Sequence, residues 1–143
     1  MADFHEIEVR HEGEMAFRTQ VNEHEIILDA APSSGGSDLG PRPKPLLLVS
    51  LASCTGMDVA SLLQKMRVNY DDLRIAVSGE LTSEHPKYYH KIHISYIVHA
   101  TDESARSKVE KAVSLSLERY CGVTAMLEKA ATITHDIKFH SEE

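Results

Sequence analysis

The chain has only two cysteines, Cys54 and Cys121, and each lies in a segment with a helical pattern of apolar residues. Two thiols on two core helices can meet in a folded protein, where a thiolate can be oxidised or can attack a disulfide. The pair therefore predicts thiol–disulfide chemistry, provided that the fold brings the sulfurs together. The alternative is that both are merely small buried hydrophobic residues, a common environment for a free cysteine.

The histidines and glycines give no comparable pattern. His90 and His93 are three positions apart on a predicted strand, where the two-residue period places them on opposite faces. The spacing of Cys and His residues does not suit zinc. Gly35-Gly36 and Gly40 belong to no phosphate-binding motif. We therefore expect no metal ion and no other cofactor.

Composition narrows the class of protein. The 143 residues are 42% apolar and predict a single domain, 1–143, with a real core. The net charge of -7 argues against nucleic acid and anionic membranes as partners. The first residues lack the apolar stretch of a signal peptide, and the apolar run 46–49 is too short to span a bilayer. We expect a cytoplasmic protein, in which the cysteines are reduced.

Alternating polar and apolar residues predict three strands near the beginning of the chain, over 4–9, 15–20 and 25–29, as an antiparallel meander. Residues 30–45 are rich in Pro, Gly and Ser and predict a loop. Residues 45–67 then predict a helix that is apolar around much of its circumference, so we expect it to be central. One of its apolar stripes contains both Cys54 and Asp58, and we expect Asp58 to pair with a cation or to cap a backbone group.

The second half predicts a hairpin, two helices and a last strand. The hairpin strands cover 73–81 and 88–99, a helix covers 103–120, a shorter one 124–131, and the last strand 132–140. On the clearest strand, we expect these residues to face inward: Ile92, Ile94, Tyr96 and Val98.

Two motifs resemble the OsmC/Ohr family, named for osmotically inducible protein C and organic hydroperoxide resistance protein. One is Gly40-Pro-x-Pro, followed by a Leu-rich run into Ser53-Cys54-Thr55-Gly56-x-Asp58-Val59; the other is Tyr120-Cys121-x-Val123. The order of elements is similar over nearly the whole chain. The Thr-Gly-x-Asp-Val variant resembles the OsmC-like branch of the family.

The resemblance implies an α+β fold, in which antiparallel sheets wrap two central helices of an intertwined homodimer. It implies a peroxidase that reduces organic hydroperoxides at the subunit interface, with a dithiol such as a lipoyl group as reductant. In that reaction Cys54 becomes a sulfenic acid, and Cys121 resolves it as a Cys54–Cys121 disulfide. Such a protein would serve as an antioxidant in the response to oxidative stress.

A peroxidatic thiol needs a nearby cation, because the pKa of a free thiol is about 8.5. Family members commonly place a Glu, which acts with an Arg, near the start of the cysteine helix, and this chain has none there. Arg18 is the best match for the family arginine, and Arg42 or Lys44 are alternatives. The missing Glu keeps a second function open, a non-enzymatic protein that binds a small apolar or acyl ligand in the dimer-interface cleft.

Overall fold

The computed structural model describes residues 3–100 and 102–140. The chain folds into two compact units, one up to Leu47 and one from Leu48 onward, so that the boundary falls within the first helix. Helices and strands together form an α+β protein, as the sequence predicts.

The first unit contains a three-stranded antiparallel meander, as predicted, but the first strand was placed too early, because only Val9 of the predicted strand 4–9 belongs to it. Its strands are β1 (Val9–His11), β2 (Phe17–Val21) and β3 (His24–Leu28), in the order β1-β2-β3. Asn22 and Glu23 connect β2 to β3 with positive φ angles of 50° and 70°. Two consecutive residues of this kind form the hairpin turn that matches the twist of the strands.

The Pro- and Gly-rich segment after β3 is ordered by one buried carboxylate. Asp29 accepts hydrogen bonds from the backbone N–H groups of Ala30 (2.7 Å), Ser37 (3.1 Å) and Leu39 (3.1 Å). These bonds, chiefly that from Leu39, lower the pKa of Asp29. A Cβ atom at Gly36 would lie 2.0 Å from the carbonyl oxygen of Ala30, so only glycine fits there.

The helix α1 covers Pro43–Lys65, two residues earlier at each end than predicted. Arg67 ends it in the left-handed conformation, with φ 57°. Its buried side chains recur at every fourth position: Leu51, Thr55, Val59 and Leu63.

The second unit builds its core from α1 and a mixed three-stranded sheet. Its strands are β4 (Asp72–Leu81), β5 (Tyr89–His99) and β6 (Thr132–His140), in the order β4-β5-β6. The inward residues of β5 are buried as predicted. The expectation of antiparallel sheets is wrong for β6, which runs parallel to β5. The chain between β5 and β6 is long enough, with its helices, for the crossover that a parallel pair requires.

The crossover consists of α2 (Ala105–Leu115), a π-helical turn (Ser116–Tyr120) and α3 (Gly122–Leu127). The helix predicted over 103–120 is thus interrupted by a wider turn in its last five residues.

In length and composition α1 would suit a membrane span, because an 18-residue window has a mean hydropathy of 1.8. Only 22% of that window is buried within the described chain. Leu51, Val59 and Leu63 nevertheless belong to one core cluster with the inward residues of β5. We therefore describe α1 as a core helix with a second apolar surface that remains exposed.

Candidate active site

Cys54 and Asp58 lie one helical turn apart on α1, beside the fully buried stripe of that helix. Residues four apart share a helix face, so the thiol and the carboxylate point to the same side. Both side chains are half-buried, whereas Thr55 between them is fully buried. The site therefore has a core side and a solvent side.

The π-helical turn positions Cys121 next to Cys54 and Asp58. The backbone N–H of Cys121 donates to the carbonyl of Ser116 at 2.8 Å, and the chain then becomes extended before α3. The N–H of Thr124 donates to the Cys121 sulfur at 3.4 Å, so that the thiol caps α3. Cys121 is buried, with 4% of its surface exposed. The backbone therefore holds Cys121 at two points, at its own N–H and, through the N–H of Thr124, at its sulfur.

Three potentially reactive atoms converge here. The sulfurs of Cys54 and Cys121 and a carboxylate oxygen of Asp58 all lie within 4.8 Å of one another. The structure thus brings together the two cysteines that the sequence singles out, and it adds an acid. The sequence favoured a cation or a backbone group as the partner of Asp58. Its partner is instead a hydroxyl, since Ser116 Oγ donates to Asp58 Oδ2 at 2.8 Å.

A chain of three buried hydroxyls supports that carboxylate. Tyr96 Oη lies 2.7 Å from Thr55 Oγ1, which lies 2.8 Å from Ser116 Oγ. A hydroxyl has one proton, and Ser116 gives its proton to Asp58. Thr55 must then donate to Ser116, and Tyr96 to Thr55. The bonds all point toward Asp58, and they link β5, α1 and the π-helical turn.

The electrostatics of the site favour a protonated Cys54. Burial raises the pKa of Cys54, as do a hydrogen bond to Cys121 and the negative charge of Asp58. The backbone N–H of Val123 acts in the opposite direction and lowers the pKa of Cys54. Burial also raises the pKa of Tyr96 to about 12, which keeps this residue a hydrogen-bond donor at neutral pH.

The cations that the sequence offers for Cys54 lie in the first unit, and two of them have carboxylate partners there. Arg18 lies between Glu12 at 3.1 Å and Glu25 at 2.7 Å. Arg42 pairs with Asp38 at 2.6 Å. Lys44 is exposed in the first turn of α1.

Sequence reasoning missed the hydroxyl chain. Thr55 and Ser116 are fully buried polar residues, and both lie among apolar residues at helical spacing. A hydroxyl at such a buried position needs a hydrogen-bond partner. This requirement was the one indication in the sequence that the two residues take part in buried hydrogen bonds. Which hydroxyl pairs with which follows only from the fold, because 41 residues separate Thr55 from Tyr96 and 61 separate it from Ser116.

Comparison with known proteins shows the family to which the chain belongs. The family model described as OsmC-like protein matches residues 35–136. The chain belongs to the OsmC-like protein family. It is 38% identical over 112 residues to Protein YhfA of Escherichia coli K12, covering 78% of this chain and 80% of that protein.

Solved structures share the fold over nearly the whole chain. A hypothetical protein from Aquifex aeolicus VF5 is 32% identical, with a TM-score of 0.79 and coverage of 97% of this chain and 99% of that one. A more distant organic hydroperoxide resistance protein OsmC from Legionella pneumophila is 14% identical, with a TM-score of 0.65 and coverage of 96% and 99%. At this low identity, the similarity to the Legionella pneumophila protein shows a shared fold only.

Proposed function

We propose that this OsmC-like protein is a thiol-dependent peroxidase that reduces organic hydroperoxides. The observation that carries the proposal is the approach of two cysteine sulfurs to within 4.8 Å at a half-buried position. A disulfide requires a sulfur–sulfur distance of about 2.05 Å, so the two side chains must rotate toward each other when the bond forms. The resemblance to a protein named for organic hydroperoxide resistance adds support.

The reaction uses the two thiols in sequence. The thiolate of Cys54 attacks the outer peroxide oxygen, the O–O bond breaks, and the alcohol leaves with a proton, so that Cys54 becomes a sulfenic acid. The thiolate of Cys121 then attacks the Cys54 sulfur, hydroxide leaves and is protonated to water, and a disulfide forms. An external dithiol, for which a lipoyl group is a candidate, reduces the disulfide by thiol–disulfide exchange.

The different exposure of the two cysteines supports the roles proposed for them. Cys54 is half-buried and can meet a substrate, whereas Cys121 is buried and held by the backbone around α3. Cys54 is therefore assigned as the peroxidatic thiol and Cys121 as the resolving one. Arg18 remains the proposed activating cation, a role that requires it to act on Cys54 in addition to its two carboxylate partners.

The active protein is proposed to be a homodimer. Three apolar side chains of α1 are strongly exposed in the single chain: Leu47 (48%), Val49 (54%) and Met57 (72%). An exposed apolar helix surface favours a partner, and the family implies an intertwined copy of the same chain. The expected interface is well beyond the standard size of about 1,600 Å². Sedimentation of a monomer at micromolar concentration would contradict this assembly.

A second function, the binding of a small apolar or acyl ligand without catalysis, is favoured by one observation. The first unit contains an apolar cleft of about 610 Å³, lined by residues that include Met15, Phe17 and Leu28. That volume suits a small ligand. The raised pKa of Cys54 also fits a protein that does no thiol chemistry.

Counting free thiols separates the two functions. The reduced protein is treated with one equivalent of an organic hydroperoxide, and its thiols are titrated before and afterwards. The peroxidase loses both thiols per chain and regains them when a dithiol is added. A binding protein keeps both thiols under the same treatment, and that result would overturn the proposal.

A further inference from the structure

In the reduced protein, the two thiols and the carboxylate of this site are also the types of group that bind metal ions. Two sulfurs and a carboxylate oxygen come from two separate parts of the chain, and all three lie within 4.8 Å of one another. Zinc binds sulfur at about 2.3 Å, so two sulfurs on one tetrahedral ion are about 3.8 Å apart. Each ligand atom would therefore need to move by about 1 Å or less.

The surroundings position these three groups for a common ligand. Cys54 and Asp58 share a helix face, and Ser116 holds one carboxylate oxygen through the hydroxyl chain. Hydrogen bonds of this kind to a metal ligand fix its orientation. The half-burial of Cys54 and Asp58 leaves an approach for an ion and a fourth position for water. Three protein ligands and one open position are typical of a zinc site that is not purely structural.

We propose that Cys54, Asp58 and Cys121 bind one soft or borderline divalent cation, of the Zn²⁺ and Cd²⁺ class, in the reduced protein. Thiolates select such ions over Mg²⁺ and Ca²⁺. Binding releases one proton from each thiol to solvent and involves no electron transfer. The sequence predicted no metal, because its Cys/His spacing does not suit zinc and Cys121 is 67 positions from Cys54.

The bound ion and the peroxidase reaction exclude one another. A sulfur that coordinates the ion cannot at the same time attack a peroxide or form the Cys54–Cys121 disulfide. The ion would thus protect the dithiol from oxidation and inhibit turnover. The metal site itself does not depend on the peroxidase activity, because it needs only the two reduced thiols and Asp58.

The test titrates reduced, metal-free protein with Cd²⁺ under anaerobic conditions and follows the sulfur-to-metal charge-transfer absorbance. We expect one ion per chain. Cys54→Ser and Cys121→Ser should each remove the tight site, and Asp58→Asn should weaken it roughly tenfold or more. The matched control is Asp72→Asn, at an exposed carboxylate on β4, which should leave the affinity unchanged.

A second measurement uses the wild-type protein alone, so that a poorly folded variant cannot obscure the result. One equivalent of Zn²⁺ should slow the alkylation of both thiols by iodoacetamide, whereas Mg²⁺ should not. Equal alkylation with either ion would overturn the proposal, and so would Asp58→Asn protein that binds Cd²⁺ as tightly as wild type. Hydroperoxide turnover without metal binding overturns this inference alone, and metal binding without turnover overturns the peroxidase alone.

Discussion

The cysteine site and the opening sheet have opposite electrostatic arrangements. In the opening sheet, Arg18 lies between two carboxylates at 3.1 Å and 2.7 Å, so that its charge is compensated on the surface. At the cysteine site, a second thiol and Asp58 lie beside Cys54, and both raise the pKa of Cys54. Arg18 is thus paired with carboxylates, whereas burial and the neighbouring groups favour the protonated form of Cys54.

This difference shows what activation of Cys54 must accomplish. The side chains of the site are already positioned, because the backbone holds Cys121 and the hydroxyl chain holds Asp58. Among the residues that the structure describes, no charged group lowers the pKa of Cys54. Either a cation acts on Cys54 in the active assembly, or the reaction proceeds slowly from a small thiolate fraction.

Removing one sulfur at a time should have the largest effect. Cys54→Ser should abolish hydroperoxide turnover, since no thiol then attacks the peroxide. Cys121→Ser is the matched control, because it should still consume about one equivalent of peroxide per chain while losing dithiol-driven turnover. The amount of alcohol formed per protein chain measures the single consumption of peroxide when no dithiol is added. With excess dithiol, the same quantity measures continued turnover. Full dithiol-driven turnover by Cys121→Ser protein would show that Cys121 has no resolving role.

Breaking the hydroxyl chain should have the next largest effect, on stability. Thr55→Val keeps the shape but leaves the Tyr96 hydroxyl without its buried acceptor. The free energy of unfolding should fall by about 2 kcal/mol. Thr132→Val, at an exposed position on β6, should change it by about 0.5 kcal/mol or less. Urea unfolding measures the free energy of unfolding of both variants. Equal decreases in the two variants would mean that the chain of buried hydroxyls does not stabilise the site.

Neutralising the site's own acid should shift the pH dependence. Asp58→Asn removes a negative charge that raises the pKa of Cys54, so the pKa should fall. The rate of Cys54 oxidation in metal-free protein increases with pH through that pKa, and its profile should therefore move to lower pH. Asp72→Asn, on the exposed surface of β4, should leave the profile in place. A shift to higher pH would reverse the role assigned to Asp58.

Removing the proposed cation should shift the same profile the other way, by the smallest amount. Arg18→Met should move Cys54 oxidation to higher pH, because the thiolate loses its counter-charge. Arg42→Met is the matched control, since Arg42 is also an ion-paired arginine of the first unit. A profile that moves only with Arg42→Met would transfer the role to the Pro-rich loop. If neither variant moves it, Cys54 has no activating arginine.

Local patterns predicted most of the elements but not the details of the site. The alternation in β5 correctly predicted its buried face, and the last strand, 132–140, matches β6. The direction of β6 could not be read from its own residues, because parallel or antiparallel pairing is decided by the path of the crossover.

The site could be predicted only in part, for a similar reason. The two cysteines were evident from their number and their helical segments. The π-helical turn before Cys121 was not, because its residues fit an ordinary helix equally well. The predicted stripe of α1 included Cys54 and Asp58 but not Thr55, which is the residue that the helix buries completely. A shift of one position decides which of these side chains meets the core and which meets solvent.

The most direct test of the central claim is to map the bond between the two cysteines. Reduced wild-type protein receives one equivalent of organic hydroperoxide and is then blocked, digested and examined by mass spectrometry. We predict a peptide pair joined through Cys54 and Cys121, and a dimedone adduct on Cys54 when the same experiment uses Cys121→Ser protein. Two unmodified thiols after exposure to the hydroperoxide, or an adduct on Cys121 alone, would contradict the account.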